Sequence, residues 1–248
     1  MKLRFRDAVS WRYAIAAISK IIEEASFKID ENGLSLRAMD PSTVVFVEFQ
    51  IPRDAFSEYE VEGSHVIGVN MEEVAKVLKR ARKGDSLILE VLKDGRLSVV
   101  FEGHGLRRFN VPSVELTYEE LPKISFDVGF KGKILPKAFK DIVSEVKPIS
   151  DSVEFRAQRE ESKLIVASSS EIAEVEIEFS ASEGALIEYE ILEDSRAKYT
   201  IDYLADITSA SQAAEVMSLE FGNDTPIKLT YELIGGGVLT FYVAPREE

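Results

Sequence analysis

A unit made of a short strand, a helix and a group of β-like runs recurs four times along the chain. Helical spacing of apolar residues predicts helices over residues 8–24, 71–82, 136–146 and 201–213, which start about 63 to 65 residues apart. Runs of β-branched and aromatic residues, broken by turn residues, follow each helix. A long fixed period indicates a repeat architecture. The predicted fold class is therefore α+β, with four strand-helix-strands repeats arranged as two similar halves.

Local signals at the ends of these elements support the predicted helices and hairpins. Asn70 precedes a helical segment as an N-cap residue, and Pro136 suits the first turn of a helix. Asn32-Gly33 and Asp94-Gly95 are typical of tight hairpin turns. The triplet at 235–237 resembles a phosphate-binding loop, but a strand-like run follows it, so a hairpin turn is favoured.

The two halves meet in a polar, proline-containing stretch, NVPSVELTYEELPKI, at residues 110–124. Its composition indicates an exposed connector. We therefore predict an N-terminal domain over residues 1–113, a connector over 114–125 and a C-terminal domain over 126–248.

Composition excludes several classes of chemistry. The absence of cysteine excludes disulfides, thiolate metal sites and a cysteine nucleophile. His65 and His104 stand alone, without the spacing of a metal site or a catalytic triad. We predict no enzymatic activity, no cofactor and no metal. No apolar run is long enough to span a membrane and no signal peptide is evident, so the expected location is the cytoplasm.

The charge is uneven along the chain. Its net value of −14 argues at face value against a polyanionic partner. Residues 1–122 hold 17 basic and 20 acidic side chains, whereas residues 123–248 hold 13 and 24. Basic residues recur on three of the four predicted helices, and those of the second form a stripe at i, i+3, i+4 and i+7: Lys76, Lys79, Arg80 and Lys83. For any one helix, an ordinary solvated face explains the lysines; three equivalent helices favour a shared basic surface suited to phosphates.

Three segments resemble the sliding clamps of the proliferating cell nuclear antigen (PCNA) family, particularly its archaeal members. They are LSLRAMDPSTVVFVEF at 34–49, YEELPKISF at 118–126 and FGNDTPIKLTYELIGGGVLTFYVAPREE at 221–248. The resemblance implies two clamp-type domains per subunit and three subunits in a ring, with helices lining the hole and sheets outside. It also implies a non-catalytic ring around duplex DNA. Its partners would be DNA polymerase, flap endonuclease, DNA ligase and a clamp loader, and its location would be at the nucleoid.

By this resemblance, the DNA-facing residues lie on the first three helices. They are Arg12, Lys20, Lys76, Lys79, Arg80, Lys83, Lys137, Lys140 and Lys147. The fourth predicted helix departs from the pattern, because it carries Asp202 and Asp206 and no basic residue. We expect its share of the channel to be neutral or acidic.

The resemblance also implies a pocket beneath the connector for short peptides with aliphatic and aromatic anchors. The matching positions, which from the sequence alone resemble ordinary core and turn residues, are Met39, Val44, Phe46, Leu121, Pro122, Phe126, Pro226, Ala244, Pro245 and Arg246.

Ring closure would join two different edge strands of neighbouring subunits. The matching edges are Leu106, Arg107, Arg108, Phe109 and Val111 on one strand, and Glu174, Val175, Glu176, Ile177 and Glu178 on the other. Opposite charges would favour correct pairing, although charged edges also guard against aggregation. The sequence leaves open a homotrimer, a subunit that assembles only with sister clamps, or a protein-interaction scaffold with little DNA contact.

Overall fold

The computed structural model describes residues 1–116, 121, 123–179 and 186–246. Within these residues each of the four repeats contributes one α-helix: α1 (Ala8–Ile18), α2 (Met71–Leu78), α3 (Pro136–Val146) and α4 (Ile201–Ile207). All four start at the predicted residue. The Asn70 side chain accepts a hydrogen bond from the Glu73 amide at 3.1 Å, which caps α2, and Pro136 occupies the first turn of α3.

Two helices in different halves end earlier than predicted. The prediction extended α1 to residue 24, but α1 ends at Ile18 because Glu24 already pairs with Asn70 in a β-ladder. The prediction extended α4 to residue 213, but α4 ends at Ile207 and continues as a short 3-10 helix, Thr208–Gln212. The 3-10 segment lies against both α1 and α3.

Helix α2 also ends early, at Leu78 rather than at residue 82. The carboxylate of Asp85 accepts a hydrogen bond from the Arg82 amide at 2.6 Å, and Gly84 adopts φ +88°. This local turn competes with further helix, because it gives the backbone another set of hydrogen bonds and a left-handed residue. The predicted four-residue basic stripe on one helix is therefore wrong: Lys76 lies within α2, whereas Lys79, Arg80 and Lys83 follow its last residue.

Among the residues that the structure describes, eighteen strands surround the helices. Those of the first half are β1 (Lys2–Phe5), β2 (Glu24–Asp30), β3 (Gly33–Met39), β4 (Val45–Pro52), β5 (Phe56–Glu60), β6 (His65–Asn70), β7 (Ser86–Val91), β8 (Leu97–Glu102) and β9 (Leu106–Val111). Those of the second half are β10 (Phe130–Ile134), β11 (Ser152–Gln158), β12 (Lys163–Ser169), β13 (Glu174–Phe179), β14 (Leu186–Ile191), β15 (Ser195–Thr200), β16 (Ala214–Phe221), β17 (Ile227–Leu233) and β18 (Val238–Val243).

The predicted hairpins are all present, including the turn at 235–237 between β17 and β18. Gly235, Gly236 and Gly237 have φ values from +89° to +108°, which explains the need for glycine in this turn.

The two halves share one plan and are joined through a single sheet. The first half has a five-stranded sheet in the order β5-β1-β7-β8-β9, and the second half repeats it as β14-β10-β16-β17-β18. Each half also has a four-stranded arrangement, β4-β3-β2-β6 and β13-β12-β11-β15. Antiparallel pairing of β18 with β4 fuses the second half's five strands with the first half's four into one nine-stranded sheet.

The core lies between the sheets and the helices. Strand β11 alternates buried and half-buried residues, as expected for a sheet with one face against a core. Trp11 of α1 is 3% exposed and packs edge-on against Phe49 of β4, with ring centroids 5.2 Å apart. Helix α1 contacts α2, α4 and the 3-10 segment, and α3 contacts α4. The helices of both halves thus form one layer. No helix in the described part of the chain is long and apolar enough to cross a membrane.

Candidate nucleic-acid interface

A cleft of about 520 Å³ lies on the helical layer, and we call it the helix-face cleft. All four repeats contribute to its lining. Five of the residues predicted to face DNA line it: Arg12, Lys20, Lys76, Lys79 and Lys140. The structure therefore brings together cations that are up to 128 positions apart in the sequence, from Arg12 to Lys140.

The acidic residues of α4 form ion pairs with lysines from other repeats. Asp206 lies 3.3 Å from the ammonium group of Lys20, and Asp202 lies 3.0 Å from that of Lys147. All four side chains are 42% to 72% exposed, so each pair is a weak surface interaction. The carboxylates of α4 thus offset the positive charges of two lysines in the predicted DNA-facing set.

Two further cations of that set pair within their own helices. Lys76 contacts Glu72 at 3.0 Å, and Lys137 contacts Asp141 at 2.6 Å. The hydrogen bonds that the Lys76 ammonium donates to the carboxylates of Glu72 and Glu73 raise the pKa of Lys76, so its charge is retained. The remaining five cations have no carboxylate within 4.0 Å in the part of the chain that the structure describes: Arg12, Lys79, Arg80, Lys83 and Lys140.

Uncompensated cations also surround a second cleft, of about 480 Å³, where the end of α2 meets β9. We call it the cationic corner. Its lining residues are Arg12, Lys79, Arg80, Ala81, Arg82, Arg107 and Phe109. Arg80 lies 5.6 Å from the centre of the Phe109 ring, a cation–π contact. Arg82 was not predicted to belong to this surface, because it lies outside the basic stripe predicted for α2.

Asp85 positions Arg107 at the cationic corner, a role that the sequence did not reveal. The Asp85 side chain is 5% exposed and forms an ion pair with the Arg107 guanidinium. Arg107 also donates a hydrogen bond to the carbonyl oxygen of Arg80 at 2.9 Å. A buried carboxylate requires such a partner, because an unpaired buried charge is strongly unfavourable.

The strands predicted to close a ring both lie at sheet edges. Strand β9 ends the five-stranded sheet and β13 ends the four-stranded sheet. Each alternates exposed and half-buried residues and ends in a buried one. Large apolar side chains near their starts are exposed: Leu106 by 62% and Ile172 by 89%.

Several charged residues of these edges already have partners in the same chain. Glu176 lies 2.5 Å from Arg156, and Glu178 lies 3.2 Å from Lys163. Arg108 is 3.8 Å from Glu90. These side chains are 27% to 53% exposed, so the pairs can rearrange at low energetic cost.

The residues predicted to form a peptide pocket gather where β4 meets β18. Phe46 pairs with Met39 on one side and with Tyr242 on the other, and the amide of Ala244 donates to the carbonyl of Val44 at 2.8 Å. Met39 is 39% exposed at the surface of this cluster, whereas Phe46 is 2% exposed and is buried beneath that surface. Burial, with the Glu48 carboxylate nearby, raises the pKa of Tyr242 to about 12.

Arg37 connects this cluster to the connector. Its guanidinium lies 5.1 Å from the centre of the Phe46 ring and donates a hydrogen bond to the carbonyl of Leu121. Arg246 lies 2.9 Å from Asp151, and its amide donates to the Lys198 carbonyl. The other predicted pocket residues that the structure describes, all half-buried, are Phe126, Pro226 and Pro245. Pro122 lies outside the described residues.

Comparison with known protein families decides the identity of the fold. The family model "Proliferating cell nuclear antigen, N-terminal domain" matches residues 1–122, and the model for the C-terminal domain of the same protein matches residues 127–246. The chain belongs to the PCNA family. Its resemblance to archaeal PCNA, its α+β class and its two clamp-type domains are confirmed.

PCNA relatives match the chain over nearly its full length. The chain is 44% identical to "DNA polymerase sliding clamp 3" of Aeropyrum pernix, with 98% of this chain and 97% of the relative covered. It is 36% identical to the "DNA polymerase sliding clamp" of Pyrococcus horikoshii, with the same coverage. This PCNA-family chain is a DNA polymerase sliding clamp and, like the family, is non-catalytic.

Solved PCNA structures have the same fold. A PCNA2–PCNA3 complex from Sulfolobus tokodaii matches with a TM-score of 0.92 at 33% identity, covering 100% of both chains. PCNA from Thermococcus kodakaraensis matches with a TM-score of 0.93 at 30% identity, covering 99% of both chains. The Sulfolobus tokodaii structure contains two different PCNA subunits in one complex.

Proposed function

We propose that this clamp encircles duplex DNA as a ring of three subunits, with its helical layer facing the DNA. The observation that carries the proposal is the helix-face cleft: residues from all four repeats line it, and three of the repeats bring an uncompensated cation to it, Arg12, Lys79 and Lys140. Phosphate contacts of this kind bind without sequence preference. They suit a ring that topology retains on DNA while it slides.

The ring would tether enzymes through the cluster at the β4–β18 joint. An apolar side chain, Met39, is exposed there beside the connector and the C-terminal residues. Apolar anchors supply most of the energy in many peptide complexes. We propose that DNA polymerase, flap endonuclease and DNA ligase bind here, that a clamp loader opens the ring, and that the protein acts at the nucleoid in the cytoplasm. We also propose that the N-terminal domain ends at residue 113 and that the C-terminal domain begins at residue 126.

The decisive experiment removes two uncompensated cations and measures how DNA affinity depends on salt. We expect Lys79→Ala with Arg80→Ala to weaken binding and to lower the salt slope by up to about 0.9 for each phosphate that is no longer neutralised. The matched control, Lys131→Ala with Lys133→Ala, removes two lysines that line a cleft on strand β10 instead. Equal slopes for both variants would contradict the assignment of the helical layer to DNA.

Stimulation of a polymerase on a circular primed template separates a clamp from a scaffold with little DNA contact. The wild-type ring should stimulate synthesis, and the Lys79/Arg80 variant should do so less. An assembled ring without any effect would favour the scaffold.

A second candidate function is that of a heterotrimer subunit, which forms a ring only together with other, different clamp subunits. The Sulfolobus tokodaii complex of two different PCNA subunits favours it. Light scattering of this chain alone distinguishes the two candidates. A homotrimer has a mass of about 83 kDa, from three chains of 27.7 kDa each.

A further inference from the structure

The start of the connector is attached to β6, the edge strand of the first half. The Val114 amide donates a hydrogen bond to the carbonyl of Gly68 at 2.9 Å, and the two residues form an isolated antiparallel bridge. Ile67 and Val69 belong to the core, so Gly68 between them faces away from it, yet Gly68 is buried. The start of the connector therefore covers Gly68.

The second half makes an equivalent attachment with its C-terminal residues. Strands β6 and β15 each end a four-stranded arrangement, and each contains six residues, of which Gly68 and Lys198 are the fourth. The Arg246 amide donates to the Lys198 carbonyl at 2.8 Å, as the Val114 amide does to the Gly68 carbonyl. A lysine at this position permits the bond, so the bond alone does not require glycine.

The close approach of the connector explains glycine at position 68. Gly68 lies in a regular strand and outside the left-handed backbone region, so other residues could adopt its conformation. A Cβ atom there would overlap the Val114 carbonyl oxygen and would lie 3.1 Å from Cγ of Leu116. The half-buried Leu116 side chain thus occupies the space that a side chain at position 68 would need. Only a residue without a side chain lets the connector lie directly on β6.

A second attachment point of the connector lies in the same row of the nine-stranded sheet. Gly68 lies opposite Ser26 of β2. Continuing the β2–β3 ladder by one step places Ser26 beside Arg37, which donates a hydrogen bond to the carbonyl of Leu121. Two strand spacings, about 10 Å, separate Gly68 from Arg37. The connector is thus held at Val114 and at Leu121 by two positions of a single row.

We propose that Gly68 is a positioning residue for the proposed peptide site: it admits the connector against β6 and so sets where the connector lies beside that site. The inference rests on the proposed function and adds a residue outside the peptide cluster. Arg37 precedes the exposed Met39 by two residues on the same face of β3, and its guanidinium lies 5.1 Å from the centre of the Phe46 ring. The row that holds the connector therefore borders the apolar cluster at the β4–β18 joint.

A connector that is fixed at its start lowers the cost of partner binding. A segment that is loose in the free protein has to be ordered when the partner binds, and this ordering reduces the affinity. Gly68 faces away from the core and therefore from the helical layer. Loss of this attachment should weaken partner binding and leave the contacts with DNA unchanged.

The test replaces Gly68 by alanine and measures polymerase stimulation on a circular primed template at increasing clamp concentration. We expect Gly68→Ala to raise the concentration for half-maximal stimulation by about tenfold, because the connector is no longer held in place. The maximal rate should stay the same, because excess clamp compensates for weaker binding. The salt slope of DNA binding should also equal that of the wild type.

The matched control is Gly105→Ala, which should behave like the wild type in all three measurements. It adds the same methyl group at a position where, in the described part of the chain, only the neighbours along the backbone lie within 4 Å of the new Cβ atom.

Hydrogen exchange separates loss of the attachment from general destabilisation. In Gly68→Ala, the Val114 amide should exchange about tenfold faster or more, because its bond to β6 is broken. The Ala244 amide, which donates to the Val44 carbonyl at 2.8 Å across the joint, should keep its wild-type rate. Wild-type protection of the Val114 amide in this variant would overturn the proposal.

A second variant tests the attachment from the connector and leaves β6 unchanged. Leu116→Ala removes the side chain that packs on Gly68, and it should raise the half-maximal concentration several-fold. The matched Leu192→Ala, at a position that is 40% exposed, should leave the half-maximal concentration unchanged.

These measurements distinguish failure of this inference from failure of the clamp function. If the wild type stimulates polymerase and both Gly68→Ala and Leu116→Ala retain its half-maximal concentration, the clamp function stands and the role of Gly68 is overturned. A wild-type clamp that does not stimulate polymerase contradicts the proposed function. The exchange rate of the Val114 amide in Gly68→Ala then decides by itself whether Gly68 holds the connector.

Discussion

Asp85 shows how one buried carboxylate can organise a corner of the clamp. It accepts a hydrogen bond from the Arg82 amide, and it forms an ion pair with Arg107 on β9. Helix α2 therefore ends before Arg82, and the Arg107 guanidinium is directed to the cationic corner. In the sequence, Lys-Gly-Asp at 83–85 is typical of an exposed turn. Its partner Arg107 is 22 residues away, so no local pattern could reveal the ion pair.

At the residue scale, we predict that Tyr242→Phe makes the clamp less sensitive to alkaline pH. Burial and Glu48 raise the pKa of Tyr242 to about 12 in the folded state, from its ordinary value of 10.0. The folded state therefore binds this proton more tightly than the unfolded state. The resulting stabilisation is complete below pH 10 and is lost as the pH rises through 12.

Thermal unfolding between pH 8 and pH 12 measures this effect. The melting temperature of the Tyr242→Phe variant should fall less over this range than that of the wild type. Tyr199 and Tyr231, whose pKa values burial also raises, are present in both proteins and serve as an internal reference. An identical decline in the two proteins would contradict the prediction.

At the element scale, α4 differs from the other helices in its charge. Asp202 pairs with Lys147, the residue that follows α3, and Asp206 pairs with Lys20, in the turn after α1. The sequence predicted a neutral or acidic share of the channel, but it did not predict that these carboxylates would pair with lysines of two other repeats. The ion pairs depend on how the helices pack.

We predict that Asp202→Asn with Asp206→Asn increases DNA affinity. The change removes two carboxylates and releases two lysines, so more cations per subunit can neutralise phosphates, and the salt slope should steepen. Fluorescence anisotropy with duplex DNA over a range of salt concentrations measures both quantities, and we expect dissociation constants several-fold lower at low salt.

The matched control for this experiment is Glu188→Gln with Glu190→Gln on β14. It also removes two carboxylates, one of which pairs with a lysine, Lys133, at 3.1 Å. Both residues line a different cleft from the helix-face cleft. Equal affinity gains in the two variants would indicate a general charge effect and refute a specific role for α4.

At the scale of the whole molecule, the nine-stranded sheet brings the two halves together at the proposed peptide site. Met39 and Phe46 come from the first half, Tyr242 and Ala244 from the second, and Leu121 from the connector. The site therefore depends on the β18–β4 joint and does not exist in either half alone.

We predict that Leu121→Glu with Pro245→Glu abolishes binding of a peptide with aliphatic and aromatic anchors, because a charge would have to be buried in the contact. Calorimetry measures the binding, and light scattering should show the same assembly mass as the wild type. Ile187→Glu, at an exposed position on β14, provides a control that should bind normally. Retained binding in the double variant would place the peptide site elsewhere.

The sequence by itself determined the repeat, the first residue of every helix, the hairpins and the family, because these depend on local signals and on recognisable segments. A capping asparagine, a first-turn proline and Asn-Gly or Asp-Gly turns act within a few residues of themselves. Only the tertiary structure decided where three of the helices end, which lysines α4 compensates and how one sheet joins the two halves. These features depend on partners far apart in the chain, such as Asp206 with Lys20 or Thr240 with Glu48, and only packing and strand pairing bring them together.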